Sequence, residues 1–361
     1  MTDRLRLADR VERWISRALV RLPAPLHVRL SGEPAHTADG QTLDPHVQLV
    51  RALRRRRNPQ RYGLTEPAVE IARRRFRRES VLFRGPVTPV GSARDFDIPG
   101  GAGPIRVRHY APAETTSPPP LTVYLHGGGF TIGDLDTHDE ACRILCRHGG
   151  MQILSVEYRL APEHPFPAAL DDTLAALRWA RAHAAELGAD PARVAVGGDS
   201  AGGNLSAVAS QLTRGEAGRP VAQLLIYPAV DSETKRPSQA MFSEGYFLSQ
   251  ADRDAFARFY LDGTGARGDD PRVSPLLAPD LAGLPPALVV TAGFDLLRDE
   301  GEAYAAALQA AGTPARVIRF PAHVHGFLHM TGISPAARAA MVRIAEAWRE
   351  LLDGLGGDSS P

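Results

Sequence analysis

The stretch VAVGGDSAGGNLSAVA, residues 194 to 209, constrains the fold more than any other part of the chain. A short apolar run leads into glycines, a serine and more glycines, and then into a helical pattern. Gly198-Asp199-Ser200-Ala201-Gly202 fits G-x-S-x-G, with the strand before it and the helix after it that the pattern requires. A turn this tight has no room for side chains two positions before and after the serine, which accounts for both glycines. It holds the hydroxyl at the C-terminal edge of a sheet, above a helix N-terminus whose dipole favours developing negative charge. Asp199, next to the serine, points elsewhere in such a turn and reads as structural.

One strand–turn–helix unit needs neighbours, and the chain supplies them. Strands are expected at Ala93–Ile98, Ile105–Tyr110, Leu121–Leu125, Gln152–Val156, Val194–Val196, Gln223–Tyr227, Leu288–Thr291 and Arg316–Phe320. The later ones are unbroken apolar runs such as LTVYL and ALVVTA, the mark of strands buried on both faces. Helical patterns alternate with them at Thr137–His148, Ala168–Ala185, Asn204–Arg214 and Glu300–Ala311. Thr137 and Glu140 have capping-box spacing, and Ser334-Pro335 makes an N-cap and first position for a last helix ending near Leu352. The alternation implies an α/β fold with a mainly parallel sheet and helices on both faces.

Two regions interrupt this plan. ETTSPPP (114–120) is a proline-rich loop, and some sixty residues from Pro228 to Pro286 separate two strands, with a helical stretch near Ser249–Tyr260. At the N-terminus, VERWISRALVRL places Val11, Trp14, Ile15, Ala18, Leu19 and Leu22 on one helical face. The arginine-rich segment to about residue 80 is also helical in character, broken at Pro59 and Pro67, and the tail GLGGDSSP is expected to be disordered.

Charge excludes some partners. The chain of 361 residues carries a net charge of +1, which selects no polyanion such as nucleic acid. The balance is uneven: residues 1 to 84 hold 19 Arg against 9 Asp plus Glu, with runs RRRR at 54–57 and RRRFRR at 73–78. A solvated helix face is the plainer reading of those runs, and a basic patch facing anionic lipid or nucleic acid the sharper one. Cys142 and Cys146, four apart in a helical stretch, do not make a disulfide framework. The N-terminus has no apolar signal region and no segment approaches eighteen apolar residues, so a cytoplasmic protein is expected.

Three further motifs carry chemistry. YLHGGGFTIGD places three glycines directly after a buried strand, exposing backbone N–H groups able to hold a tetrahedral oxyanion. His126 reads as a brace for that loop; the acids and histidine that follow (Asp134, Asp136, His138, Asp139) read better as helix-start capping than as a cation site. In ALVVTAGFDLLRDEGEAY, Asp295 lies two residues past the glycine that ends a buried strand, whereas Asp299 suits the first turn of a helix. Finally PAHVHGFLHM carries His323, His325 and His329 in the loop leaving the last strand. The chain order serine, aspartate, histidine fits a triad that needs one of the three. No acid or thiol of matching spacing joins the histidines, which argues against a metal site.

These residues resemble the hormone-sensitive-lipase-like (HGGG) branch of the α/β-hydrolases, the bacterial esterase/lipase family IV. HGGGF, VEYRLAPEHPFPAAL, GDSAGGN, GFDLLRDEG and HGF agree in order and spacing over roughly residues 80 to 352. The resemblance implies an α/β-hydrolase fold: an eight-stranded, mostly parallel sheet with helices on both faces and a helical cap. It places the nucleophile at Ser200, the acid at Asp295 and the base at His325, the histidine directly before Gly-Phe. It maps the oxyanion donors to the N–H groups of Gly128, Gly129 and Ala201. Residues 1–80 and 230–265 become the cap, 81–229 and 266–353 the core, and 354–361 a tail. The implied activity is hydrolysis of short- to medium-chain carboxylic esters through an acyl-enzyme, with a small ester as substrate. No cofactor or metal is implied, nor nucleic acid, nor stable membrane insertion. Relatives form homodimers through the last strand and the neighbouring helix. An amidase or peptidase on the same triad, or a non-catalytic small-molecule receptor on this fold, are the alternatives.

Overall fold

The computed structural model describes residues 20–57 and 69–355. The expected N-terminal amphipathic helix falls mostly outside them, as do Pro59, Pro67 and most of the tail. The strands are β1 (Thr37–Ala38), β2 (Gln41–Thr42), β3 (Ser92–Gly100), β4 (Gly103–Ala111), β5 (Leu121–Leu125), β6 (Gln152–Val156), β7 (Val194–Asp199), β8 (Gln223–Ile226), β9 (Ala287–Phe294) and β10 (Ala315–Val324). The helices are α1 (Ala24–Ser31), α2 (Pro45–Arg57), α3 (Val69–Phe83), α4 (Asp139–Gly149), α5 (Ala168–His183), α6 (Ala201–Leu212), α7 (Pro237–Met241), α8 (Gln250–Leu261), α9 (Arg298–Ala310) and α10 (Pro335–Gly354).

β1 and β2 form a small hairpin, and the other eight strands make one sheet in the order β10-β9-β8-β7-β5-β6-β4-β3. β4 pairs antiparallel with both β3 and β6, and the remaining pairs are parallel. Every expected strand is present. Several run longer than their apolar stretch: β7 extends through Gly197-Gly198-Asp199, and β9 through Gly293-Phe294. Glycine breaks an apolar run without breaking the ladder, because its N–H and C=O still pair.

The period-2 geometry of a strand divides the core. On β5, Tyr124 packs with Ile144 and Leu145 of α4 and Trp348 of α10, while Leu121, Val123 and Leu125 face Leu177 of α5 and Leu205 of α6. α9 joins the second side through Tyr304, Ala305 and Leu308. Both faces of β5 are therefore dry, which is why its sequence does not alternate. Trp348 finds a partner for its indole N–H in Thr122 Oγ1 at 3.0 Å.

Helix ends test the capping readings. Ser334 caps α10, accepting from Ala337 N–H, and Ser249 forms a reciprocal box with Asp252 on α8. The box expected at Thr137 and Glu140 does not form. Thr137 exchanges hydrogen bonds with Asp134, and the Glu140 carboxylate takes Thr88 N–H and Oγ1 plus Arg338. Tertiary donors reached Glu140 before its own helix start could.

The arginine runs are largely absorbed by ion pairs. Arg54 pairs with Glu79, Arg55 with Glu33, Arg73 with Glu163 and Glu70, and Arg77 with Asp134. No helix among the described residues is long and apolar enough to cross a membrane.

Candidate active site

Ser200 sits between β7 and α6 with φ +54° and ψ −115°, a strained backbone for a residue with a side chain. The flanking glycines are sterically obligatory. A Cβ on Gly198 would lie 2.3 Å from the Leu125 carbonyl oxygen, and one on Gly202 would lie 1.9 Å from the same atom. β5 and the start of α6 therefore approach at backbone distance. Asn204, one turn into α6, donates to the carbonyls of Ala229 and Val273 at 2.7 Å each and ties the turn to the segments after β8.

The other two residues come from adjacent strands. In the parallel pair β9–β10, Phe294 is in register with Val324, so the next residue on each strand, Asp295 and His325, emerge side by side. Asp295 Oδ2 lies 2.8 Å from His325 Nδ1, and His325 Nε2 lies 3.0 Å from Ser200 Oγ. A carboxylate only accepts, so Nδ1 carries the hydrogen and Nε2 offers its lone pair to the serine hydroxyl. Asp295 is buried and its Oδ1 accepts the Leu297 N–H at 2.9 Å, which fixes its rotamer. The Tyr227 ring lies 4.6 Å from the imidazole and limits its movement.

The competitors lie elsewhere. Asp299 accepts from Ser238 N–H at 2.8 Å and from Arg298 at 2.9 Å, facing α7. His323 is buried with its ring stacked on Phe327, and burial holds its pKa below the ordinary value. His329, on the turn after Gly326, packs against Phe76 and edge-on against His138, and also borders the cavity above Ser200.

The glycine loop after β5 has the same steric character as the serine turn. Gly128 and Gly129 have φ +124° and +58°. A Cβ on Gly128 would lie 2.0 Å from the Ile132 carbonyl oxygen, and one on Gly129 would strike the Phe256 ring at 2.1 Å. His126 stacks on Tyr158 at 4.3 Å and its Nδ1 lies 2.9 Å from the Gly127 carbonyl, the bracing position expected of it. The acids after the loop do not gather into one ligand set, although Asp136 and Asp139 share Arg108. Asp134 turns to Arg77, Asp136 to Arg108, and Asp139 to Tyr110 and Arg143. His138 instead meets Asp199, whose carboxylate reaches Tyr124 and Gly127. Sequence reasoning missed that partnership; the only local signal was an acid ending an otherwise apolar and glycine-rich strand.

Above the serine lies a cavity of about 650 Å³. Ser200, His325 and the glycine loop form its floor, and Phe76, Ile132, Leu248 and Phe256 contribute apolar wall. Phe76 of α3, Ile132 after the loop and Ala255 of α8 form a small apolar cluster apart from the main core. Nothing in the α8 sequence beyond its amphipathic spacing pointed to Phe256 as a wall residue.

A family model described as the alpha/beta hydrolase fold matches residues 122–329. The chain belongs to the α/β-hydrolase family. Its branch is the hormone-sensitive-lipase-like one that the motifs resemble. Among relatives of this hydrolase, the carboxylic ester hydrolase LipN of Mycobacterium tuberculosis is 45% identical over 338 residues, covering 91% of this chain and 88% of its own. An ethyl acetate hydrolase of Pseudomonas putida is 37% identical over 78% of this chain and 90% of its own. Among solved structures, the ester-hydrolase EH1AB1 from the metagenome of Lake Arreo, complexed with a bipyridine phosphonate derivative, superposes with a TM-score of 0.81. It is 40% identical and covers 87% of this chain and 99% of its own.

Proposed function

We infer that this hydrolase is a serine carboxylesterase acting on short- to medium-chain esters, with Ser200 as nucleophile, His325 as base and Asp295 as its orienting acid. The observation that carries the reading is the continuous hydrogen-bonded relay from Asp295 through His325 to Ser200, opening into a largely apolar cavity beside a glycine loop. In the reaction, His325 Nε2 takes the Ser200 proton while Oγ forms a bond to the ester carbonyl carbon. The oxygen that becomes negative is received by the N–H groups of Gly128, Gly129 and Ala201, the last at the positive end of α6. As the tetrahedral species collapses, the carbon–alkoxy bond breaks and His325 returns the proton to the leaving alcohol. Water then repeats both steps on the acyl-enzyme.

Phe76, Ile132, Leu248 and Phe256 favour an apolar acyl chain, while Glu233, Lys235, Arg236, Arg253 and Asp254 make other parts of the lining polar; the names of the relatives as ester hydrolases support the bond type. Residues 1–80 and 230–265, which include most of α3 and all of α7 and α8, act in this reading as the cap that limits chain length. A cytoplasmic setting belongs to the same proposal. So does a homodimer through β10, one of the two edge strands of the sheet, testable by light scattering.

The decisive experiment is an acyl-length series of p-nitrophenyl esters from C2 to C16, run on the wild type and on Ser200→Ala. Turnover should peak at short to medium chains and disappear in Ser200→Ala while the circular dichroism spectrum is kept. Turnover that survives in Ser200→Ala, or a peak at C16, overturns the assignment.

A further inference from the structure

Asp199 is a buried acid one residue from Ser200 that the reaction steps leave unused. The parallel register of β5 with β7 sets Leu125 beside Gly198, and so brings the end of β7 against the residues that follow β5. There Asp199 Oδ1 accepts the Gly127 N–H at 3.0 Å and the Tyr124 hydroxyl at 2.9 Å, and His138 Nε2 lies 3.3 Å from the same oxygen. The Tyr227 hydroxyl lies 3.5 Å from Oδ2. The fit to the loop is close, since a Cβ on Gly127 would lie 2.3 Å from Asp199 Oδ2.

A carboxylate this deeply buried is unfavourable unless charge and hydrogen bonds compensate it, and filling the space alone would suit an apolar side chain better. Burial pushes the Asp199 carboxyl pKa up, but His138, His329 and Tyr124 together outweigh it and hold the group below the ordinary carboxylate range. The ionised group gives Gly127 a charged acceptor, which holds an N–H more strongly than a neutral one. Gly127 is one peptide ahead of Gly128 and two ahead of Gly129, both in left-handed backbone that no side chain of their own can stabilise. Oxyanion donors contribute only when aimed to within about 0.5 Å of where the charge forms.

We propose that Asp199 is a positioning residue of the oxyanion hole: anchored by His138 and Tyr124, its carboxylate clamps Gly127 so that the following N–H groups meet the oxygen that Ser200 creates. The proposal rests on the esterase reading above. A rival use of the same atoms is a divalent cation, because His138, Asp199 and His329 present ligand atoms within 4.8 Å of one another. The oxygen nearest His138 already serves Gly127 and Tyr124, so a cation at that atom competes with the clamp.

The test compares Asp199→Ala with Asp199→Asn in the full chain, using p-nitrophenyl butyrate as substrate and an aryl boronic acid as transition-state analogue. Asp199→Ala should lower kcat by about a hundredfold with KM changed less than about threefold, and should weaken the boronic acid by a factor similar to the loss in kcat. Asp199→Asn keeps an acceptor oxygen for Gly127 and should recover to within about tenfold of wild type. A merely structural role would lower the melting temperature without this split between kcat and KM. The proposal falls if Asp199→Ala keeps its kcat, if the loss is confined to KM, or if Asp199→Asn is as impaired as Ala. Stoichiometric bound metal whose removal abolishes activity would also overturn it. Should the alanine variant fail to fold, boronic acid affinity in Asp199→Asn decides: loss beyond about tenfold refutes the clamp. Failure of the esterase reading appears separately, as a wild type that turns over no ester, and takes this proposal with it.

Discussion

Two buried aspartate–histidine pairs flank Ser200, and they are built for different ends. In the Asp295–His325 pair the nitrogens are divided: Nδ1 meets the acid at 2.8 Å and Nε2 faces the serine oxygen at 3.0 Å. In the Asp199–His138 pair the contact is 3.3 Å, the imidazole Nδ1 lies 2.9 Å from Thr137 Oγ1, and the carboxylate serves a backbone N–H and a tyrosine instead. The first pair has a free side aimed at a cavity; the second is closed on itself. An acid beside a histidine is therefore not yet chemistry. On the proposed reading, what the second nitrogen faces separates a pair that moves a proton from one that holds a loop.

The sharpest break between the pairs comes from removing each imidazole. His325→Ala should lower kcat/KM for p-nitrophenyl butyrate by about a thousandfold or more, whereas His138→Gln, acting only through Asp199, should cost less than about tenfold. Equal losses in steady-state assays would erase the distinction. The acids offer the next contrast. Asp295→Asn is expected to reduce kcat by up to about ten-thousandfold, because the amide oxygen stays with the Leu297 N–H and the amide NH2 donates to Nδ1, holding the imidazole in the wrong tautomer. Asp299→Asn should leave kcat within about threefold and cost about 1 kcal/mol of stability through its Ser238 and Arg298 partners. Matched kinetics for the two asparagine variants would reassign the triad acid.

A third buried acid, Glu300 on α9, extends the comparison because its partners are Arg253 at 3.0 Å and the N–H groups of Val230 and Asp231. Burial raises its pKa to about 7, against the opposing charge of Arg253. A raised folded pKa stabilises fully below the unfolded value near 4.5, and the contribution fades as pH rises through the folded value near 7. Glu300 thus makes the protein less stable, by something on the order of 3 kcal/mol, between about pH 4.5 and 7. Urea unfolding at several pH values should show that slope in the wild type and a flatter one in Glu300→Gln; an unchanged slope in the variant would remove Glu300 as its source.

Much of this arrangement was legible beforehand for a physical reason. Glycines at 198 and 202 report approaches under 3 Å that leave no room for a Cβ, and those at 128 and 129 add a positive φ to the same crowding, demands that only glycine meets. Dry strands announce themselves as apolar runs, so β5, β6 and β9 were placed from composition and length. The capping box at Thr137 and Glu140 was misread because Thr88 and Arg338 lie 52 and 198 residues from Glu140 in the chain and exert no local signature. The wall residue Phe256 was illegible for the same reason: an amphipathic helix reveals that it has an apolar face, not what the face covers.

The sequence by itself determined the strand–turn–helix around Ser200, the glycine loop after β5, the order serine, aspartate, histidine and the layered α/β plan. Each follows from sterics or solvation within a few residues, or from a periodicity. Only the tertiary structure brings His325 and Asp295, the residues favoured by their place in the motifs, into contact with the serine, and only it joins Asp199 to the Gly127 N–H, which no local pattern announces. Those contacts depend on register between strands, Phe294 with Val324 and Leu125 with Gly198, pairs beyond the reach of any local pattern. A shift of one residue in either ladder reverses which face each side chain takes.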